Sequence, residues 1–376
     1  MSMKITHVGA VLLQPMPWVL VKVRTDEGLV GIGEAYHGAG VHQIATDPRL
    51  VERALIGQDP RNVDKIFHDM MGSMSASGFY QGAVMSAISG IEMALWDITG
   101  QACGVPIWQL LGGKFRDRIR VYNDCHAGDE ETPEAYAEKA RAVEARGFDA
   151  IKFDIDPQPS RRDRYNRTIS NHDVAYFVDV ITALREALDP NTDLLIDAHW
   201  NYAPVDILKV AYAIEDLDLM WLEDPVPPEN IEAMAKVTQA TRVPICTGEN
   251  FYTRHGFRDL IEAQAADIIS PDHAKAGGLL EGRKIADLAD MYYIPLSPHN
   301  ICGPIGTMAV CHLCAAVPNF QVLEFHHLDD EVWNTLTVER DLIRDGHIDL
   351  PKTPGLGVTL DEEAARRAAR EDLGFF

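Results

Sequence analysis

Long apolar runs are missing from this 376-residue chain. None approaches the ~20 residues that a bilayer-spanning helix needs. Positive charge is also scarce. The 34 Lys and Arg against 57 Asp and Glu leave a net charge of −23. That balance argues against nucleic acid or an anionic membrane surface as partner. A small acidic substrate is still allowed, because a bound cation inverts the local field. Only six cysteines occur, scattered and without a paired framework, which fits a reducing compartment. Cys311 and Cys314 have C-x-x-C spacing but no second pair, and they sit in a helical-looking run. They read as buried small residues rather than a zinc or redox site. The first twenty residues hold one lysine and a proline-broken apolar stretch. That is no signal-peptide layout, so a cytoplasmic location is expected.

Two rhythms divide what remains. "THVGAVLLQ" and "WVLVKVRTDEGLVGIGEAY" read as strands, and helical periodicity follows from Asp47 to Gly112. Strands followed by helices make an α+β unit. From Arg120 on, short apolar runs recur: "RVYNDC", "AIKFD", "LLIDAH", "LMWLED", "VPICTGE", "DIISPD", "YIPLSPH" and "FQVLEF". Helical stretches separate them, the pattern of an α/β barrel. "GIGEAYHG" offers G-x-G, but no helix follows it directly, so a dinucleotide fold is set aside. The tail after the eighth strand reads as loops and a short strand, returning to the N-terminal unit.

Polar residues close the later strands at intervals of about one βα unit. Asp197, Glu223, Glu249, Asp272, His299 and Glu324 end strands three to eight. Catalytic groups sit at such strand ends in barrels. Any one acid there reads equally well as a helix N-cap. Three carboxylates on adjacent strands repel one another unless a cation lies between them. Asp197, Glu223 and Glu249 are therefore the expected ligands, and an all-oxygen set favours Mg²⁺ or Mn²⁺. A metal holding a substrate carboxylate acidifies the neighbouring C–H and requires a base nearby. His299 with Asp272 behind it is one candidate, and His199 is another. Lys152 and Asp154 point in from strand two. In an extended chain Asp197, His199 and Asn201 share one direction, which leaves Asn201 as a substrate contact or a helix cap.

The motifs "IDAH", "WLEDP", "TGEN", "SPDHAKAGG", "SPHN" and "LEFH", in that order, resemble the mandelate-racemase-like branch of the enolase superfamily. The resemblance covers nearly the whole chain. It implies a modified (β/α)7β TIM-like barrel (119–329) under an α+β capping domain (1–118, completed by 330–376). It implies Mg²⁺ on Asp197, Glu223 and Glu249, α-proton abstraction by the Asp272–His299 dyad, and an enediolate intermediate. "Asp-x-His" on strand three is similar to acid-sugar dehydratases of the galactonate, gluconate and mannonate type, with His199 protonating the leaving hydroxyl. Glu324 then bonds the substrate carboxylate. Where racemases carry Lys-x-Lys, this chain has Lys152-x-Asp154. That departure speaks against a two-base racemase or epimerase, which is the nearest alternative. It leaves Lys152 to bind substrate and Asp154 to orient His199 or Lys152, or leaves the two as a structural ion pair at the barrel mouth. More remote alternatives are a non-catalytic binding barrel and a zinc hydrolase, which wants more histidine ligands.

Family resemblance also makes Trp18 and His37, in loops of the cap, candidate substrate contacts, against packing roles for both. His255, His326 and His327 are further candidates to line the pocket. The insertion at 156–172 is rich in arginine and carries Tyr165. It reads as a surface or subunit-interface loop, or as a lid bringing Tyr165 to a polyhydroxy acid. A homo-oligomer, dimer or octamer, is implied.

Overall fold

A computed structural model describes residues 3–77, 81–128, 130–155 and 167–376. The chain opens with an antiparallel sheet of β1 (Ile5–Leu12), β2 (Val19–Thr25) and β3 (Val30–Ala35), in that order. The helix Gly82–Cys103 lies across this sheet and is buried on nearly every side. A helix apolar all round is one that packs all round, and Gly104, at φ 69, ends it in the left-handed conformation. The glycines of "GIGEA" have a packing reason: a Cβ on Gly33 would lie 2.0 Å from the Gly90 carbonyl oxygen. Strand and helix backbones touch there.

Parallel strands follow: β4 (Arg118–Cys125), β5 (Ala150–Asp154), β6 (Asp193–Asp197), β7 (Leu219–Glu223), β8 (Ile245–Thr247) and β9 (Ile268–Ile269). The seventh position is a single bridge at Leu296, paired with Ile269 on one side and Phe320 on the other. β10 (Leu323–Phe325) pairs back onto β4 and closes the ring. The α/β barrel expected from the sequence is therefore present, with a helix after each of the first seven strand positions. Strands six and seven are shorter than the sequence suggests. Pro271, Pro295 and Pro298 lack the N–H a ladder requires.

Tyr122, Leu195, Trp221, Cys246, Ile268 and Val322 fill the barrel interior. The tail is more structured than expected. β11 (Ile343–Arg344) and β12 (His347–Asp349) form a hairpin, and β12 extends the sheet antiparallel to β4. A helix, Glu362–Ala368, then leads to Ala369 and Arg370, which bond the end of β1. Cys311 and Cys314 are buried, unpaired thiols in the helix Pro304–Ala316. Among the described residues no helix is long and apolar enough to cross a membrane.

Candidate active site

Strand register sets the floor of the site. Asp154, Asp197 and Glu223 are direct partners on β5, β6 and β7. Two residues below, Leu195 and Trp221 plug the barrel. The Trp221 indole N–H donates to Glu223 Oε2 at 2.9 Å, so the core holds that carboxylate upright.

Lys152 rises from β5 into the centre. Its ammonium lies 3.1 Å from Asp124 Oδ2, 3.2 Å from Asp197 Oδ2, 3.1 Å from Glu223 Oε2 and 2.6 Å from Glu324 Oε1. Burial alone would push its pKa down, but the surrounding carboxylates, Glu223 and Glu324 foremost, hold it well above its usual value. Lys152 is thus a fixed cation.

Burial conversely pushes Glu223 and Asp197 up, against the pull of Lys152. Glu223 Oε1 and Asp224 Oδ2 are buried with no hydrogen-bond partner. Ligand atoms of Glu223, Asp224 and Glu249 fall within 4.8 Å of one another, as do those of Asp154, Asp197 and His199. The expected trio is therefore divided between two neighbouring clusters, joined by the Asp197–Glu223 register and by Lys152. An excess of buried carboxylate oxygens, some without a donor, is a donor set that fits a hard divalent cation.

His299 faces this acid group from the seventh strand position. Its Nδ1 lies 2.8 Å from Asp272 Oδ2, and its Nε2 lies 2.9 Å from Glu249 Oε2 and 3.7 Å from Glu324 Oε2. Desolvation lowers its pKa, yet Glu249, Glu324 and Asp272 outweigh that and hold it well above the usual value. Glu249, buried but beside His299 and Lys275, is drawn down to about 2.

The other histidine is placed differently from the strand reading. Alternation stops at Asp197, because His199 and Trp200 adopt φ of 46° and 54°. Non-glycine residues in that region are strained and concentrate at functional sites. The turn brings His199 Nε2 to 3.8 Å from Asp154 Oδ1 and 3.9 Å from Asp197 Oδ2. Its backbone N–H donates to Asp197 Oδ1 at 2.8 Å. Asp154 also meets His126 Nδ1 at 3.1 Å, so one carboxylate stands between two imidazoles. Asn201 no longer shares a direction with Asp197, and the cap of the next helix is Ala203. The capping reading of Asn201 therefore falls.

Glu324 is the most heavily engaged acid. It meets Lys152, His299 and His326, and its Oε2 accepts from the Asn300 N–H at 2.8 Å. Trp18 is fully buried. Its indole N–H donates to the Ile301 carbonyl at 3.0 Å, and its ring packs edge-on against His327. That is the packing role, with its one polar hydrogen already engaged. His37 stacks on Tyr36, and burial lowers its pKa. Lys275 lies 4.4 Å over the Tyr36 ring and 3.9 Å from Glu249, bringing the cap to the rim. Tyr165 lies outside the described residues. Beside the rim, a cavity of 560 Å³ is lined by Gln81, Pro228, Asn250, Phe251, Tyr252 and His255.

Sequence reading missed Asp124, His126 and Asp224. A usable signal existed for Asp124: it is an acid at the penultimate position of strand one, and it pairs in register with Lys152. His126 and Asp224 lie past strand ends, where spacing alone does not assign direction.

A parallel barrel with a buried acid cluster, a lysine and a carboxylate-backed histidine at its C-terminal face has the layout of a barrel enzyme's active site. Comparison with known proteins narrows this. Residues 4–112 match the mandelate racemase / muconate lactonizing enzyme N-terminal domain, and residues 135–364 match the enolase C-terminal domain-like family. The chain belongs to the enolase superfamily, in its mandelate racemase / muconate lactonizing enzyme branch. It is 47% identical to a D-xylonate dehydratase of Haloferax volcanii, over 93% of this chain and 84% of that one. It is 32% identical to a D-galactonate dehydratase of Variovorax paradoxus, over 98% and 95%. A mandelate racemase/muconate lactonizing enzyme-like protein from Rubrobacter xylanophilus superposes over the full length of both chains, with a TM-score of 0.95 and 42% identity.

Proposed function

We propose that the protein dehydrates an acid sugar, an aldonate, to a 2-keto-3-deoxy acid. The observation that carries the reading is the pair of histidines flanking one acid cluster: His299 backed by Asp272 on one side, His199 beside Asp154 and Asp197 on the other. Dehydration needs one group to take the C2 proton and one to protonate the departing C3 hydroxyl. Asp197, Glu223 and Glu249 are the proposed holders of Mg²⁺, with Mn²⁺ as a substitute and Asp224 adjoining. When bound, the ion would draw charge off the substrate carboxylate as the neighbouring C–H is lost. His299 takes the C2 proton at Nε2, and Asp272 fixes its Nδ1–H tautomer. His199 donates to the leaving hydroxyl. Lys152 anchors the acid cluster from below, and Glu324 orients the substrate carboxylate, with Lys275, His37, Asn201 and Tyr165 as proposed contacts at the rim.

A two-base racemase would need a second base opposite His299. Lys152, enclosed by four carboxylates, is held as a cation, which favours dehydration. The relatives add support, being a xylonate and a galactonate dehydratase by name. We place the protein in the cytoplasm as a homo-oligomer, with the cap as residues 1–118 plus 330–376 over a barrel of 119–329. The test is a screen of aldonates with Mg²⁺, D-xylonate first, scored for 2-keto-3-deoxy product. Exchange of the C2 hydrogen with solvent, without water loss, on every acid tried would favour the epimerase instead.

A further inference from the structure

Two acids of the cap are buried outside the acid cluster, and the chemistry above makes no use of them. Glu34 closes β3. Its Oε1 accepts from the Gly303 N–H at 2.6 Å and its Oε2 from the Gly306 N–H at 2.8 Å. Glu92 sits mid-way along the long cap helix. Its Oε2 accepts from the Leu279 N–H at 2.8 Å and its Oε1 from the Leu280 N–H at 3.0 Å. Ser89, one turn earlier, accepts from the Gly277 N–H at 2.9 Å.

These N–H groups open two barrel helices, Gly278–Asp290 and Pro304–Ala316. The first turn of a helix leaves its N–H groups without partners, and a carboxylate there is well placed against the helix dipole. Helices after strands one, two and four take this cap from their own Thr132, Ser170 and Asn230. The helices after strands six and seven have glycine at the cap position, Gly277 and Gly303, and no side-chain cap of their own. Glu92 and Glu34 fill that place from another part of the chain. The contact is close enough that a Cβ on Gly278 would meet Glu92 Oε2 at 2.1 Å.

Those two helices follow the segments carrying Asp272 and His299. Their strands hold little by themselves: β9 has two residues, and the seventh position is one bridge. We propose that Glu34 and Glu92 are positioning residues, which set the Asp272–His299 pair by fastening the loops 273–280 and 300–306 to the capping unit. This rests on the reading of that pair as the proton-abstracting dyad. A hydrogen bond from a backbone N–H to a carboxylate is among the stronger ones. Glu92 Oε1 also accepts from the Trp96 indole N–H at 2.6 Å. Gln keeps the shape but turns an NH₂ towards one or more of these N–H donors, so at least one bond is lost in each variant.

Glu34→Gln and Glu92→Gln separate this from plain stabilisation, with Asp97→Asn as control. Asp97 is another buried cap carboxylate, but it accepts from the Leu356 and Ile32 N–H groups, which belong to the C-terminal tail and β3 and not to the loops that carry the dyad. Each Mg²⁺-loaded variant is assayed on the aldonate found by the screen, protiated and C2-deuterated. Expected for both Gln variants is a kcat lower by about 10- to 100-fold, the scale of a 1 Å misplacement. KM should stay within about threefold in Glu34→Gln, whose loop 300–306 carries no proposed substrate contact, and rise further in Glu92→Gln, whose loop carries Lys275. The deuterium isotope effect on kcat should rise, and amide exchange at Gly303 and Gly306 should quicken in Glu34→Gln. Glu34→Asp should recover part of the rate, and Asp97→Asn should leave the isotope effect unchanged.

The proposal is overturned if kcat per folded molecule is unaltered, if it falls with an unchanged isotope effect, or if neither Gln variant folds. His299→Asn is run alongside. Undiminished turnover there would sink the dyad reading itself, and its loss together with normal Gln variants would sink only this one.

Discussion

Replacing His299 by asparagine removes the ring nitrogen 2.9 Å from Glu249 Oε2, while the amide can still reach Asp272. The substitution deletes the proposed base and leaves its support. A positioned general base contributes about 10²–10⁴-fold, or about 3–5 kcal/mol of barrier. The upper end is expected, since Asp272 offers its carboxylate to Nδ1 and has no path to substrate. Lys152 cannot substitute, being held by four acids. Metal binding should persist. His299 is not among the proposed ligands, and its removal leaves the carboxylates of Asp197, Glu223 and Glu249 in place. Product formation, read as 2-keto-3-deoxy acid, should drop at least about 10³-fold. Titration with Mn²⁺, followed by paramagnetic resonance, should give a dissociation constant like that of the wild type. Turnover within tenfold of the wild type would refute the assignment. Loss of Mn²⁺ binding would show instead that the imidazole holds the site together.

His199→Asn should slow dehydration about 10²-fold while C2–H exchange with D₂O, followed by NMR, continues; equal loss of both would contradict the division between the two histidines. Lys152→Met strips the cation from four buried carboxylates. Breaking a buried ion pair from one side costs about 3–5 kcal/mol, so thermal unfolding without Mg²⁺ should shift sharply down. Added Mg²⁺ should restore part of the loss, and an unshifted Tm would show that the lysine carries little of the local charge balance. The net charge of −23 implies self-repulsion that salt screens. Tm should therefore climb as KCl rises from dilute to molar, and a flat profile would rule that strain out.

The proposed metal face of this site is readable because it obeys a period. A βα unit of about 25 residues returns the chain to the same end of the barrel, and Asp197 and Glu223 are true register partners on adjacent five-residue strands. Where regular backbone ends, legibility ends too. His199 was aimed by strand alternation, yet it reaches Asp154 through two left-handed residues that no periodicity announces. From the sequence, Lys152 reads as a substrate contact or as half of an ion pair. Its enclosure depends on Asp124 and Glu324, which come from strands one and eight and adjoin only because the sheet closes.

Glu34 marks a further limit. In sequence it is an acid at the end of a strand, and its partners lie 269 and 272 residues away. Yet its place follows from features that are visible separately. Pro295 and Pro298 deprive the seventh strand of ladder bonds, and Gly303 deprives the next helix of a cap of its own. A catalytic group on such a segment needs other fastening, because a base must be held to a fraction of an ångström. The Asn300 bonds to Glu324 supply part of it, and the cap supplies the rest. The prolines that shorten strands six and seven and the glycines that begin their helices are thus two sides of one arrangement. The barrel leaves its dyad loosely tied at that point, and the capping unit completes the tie.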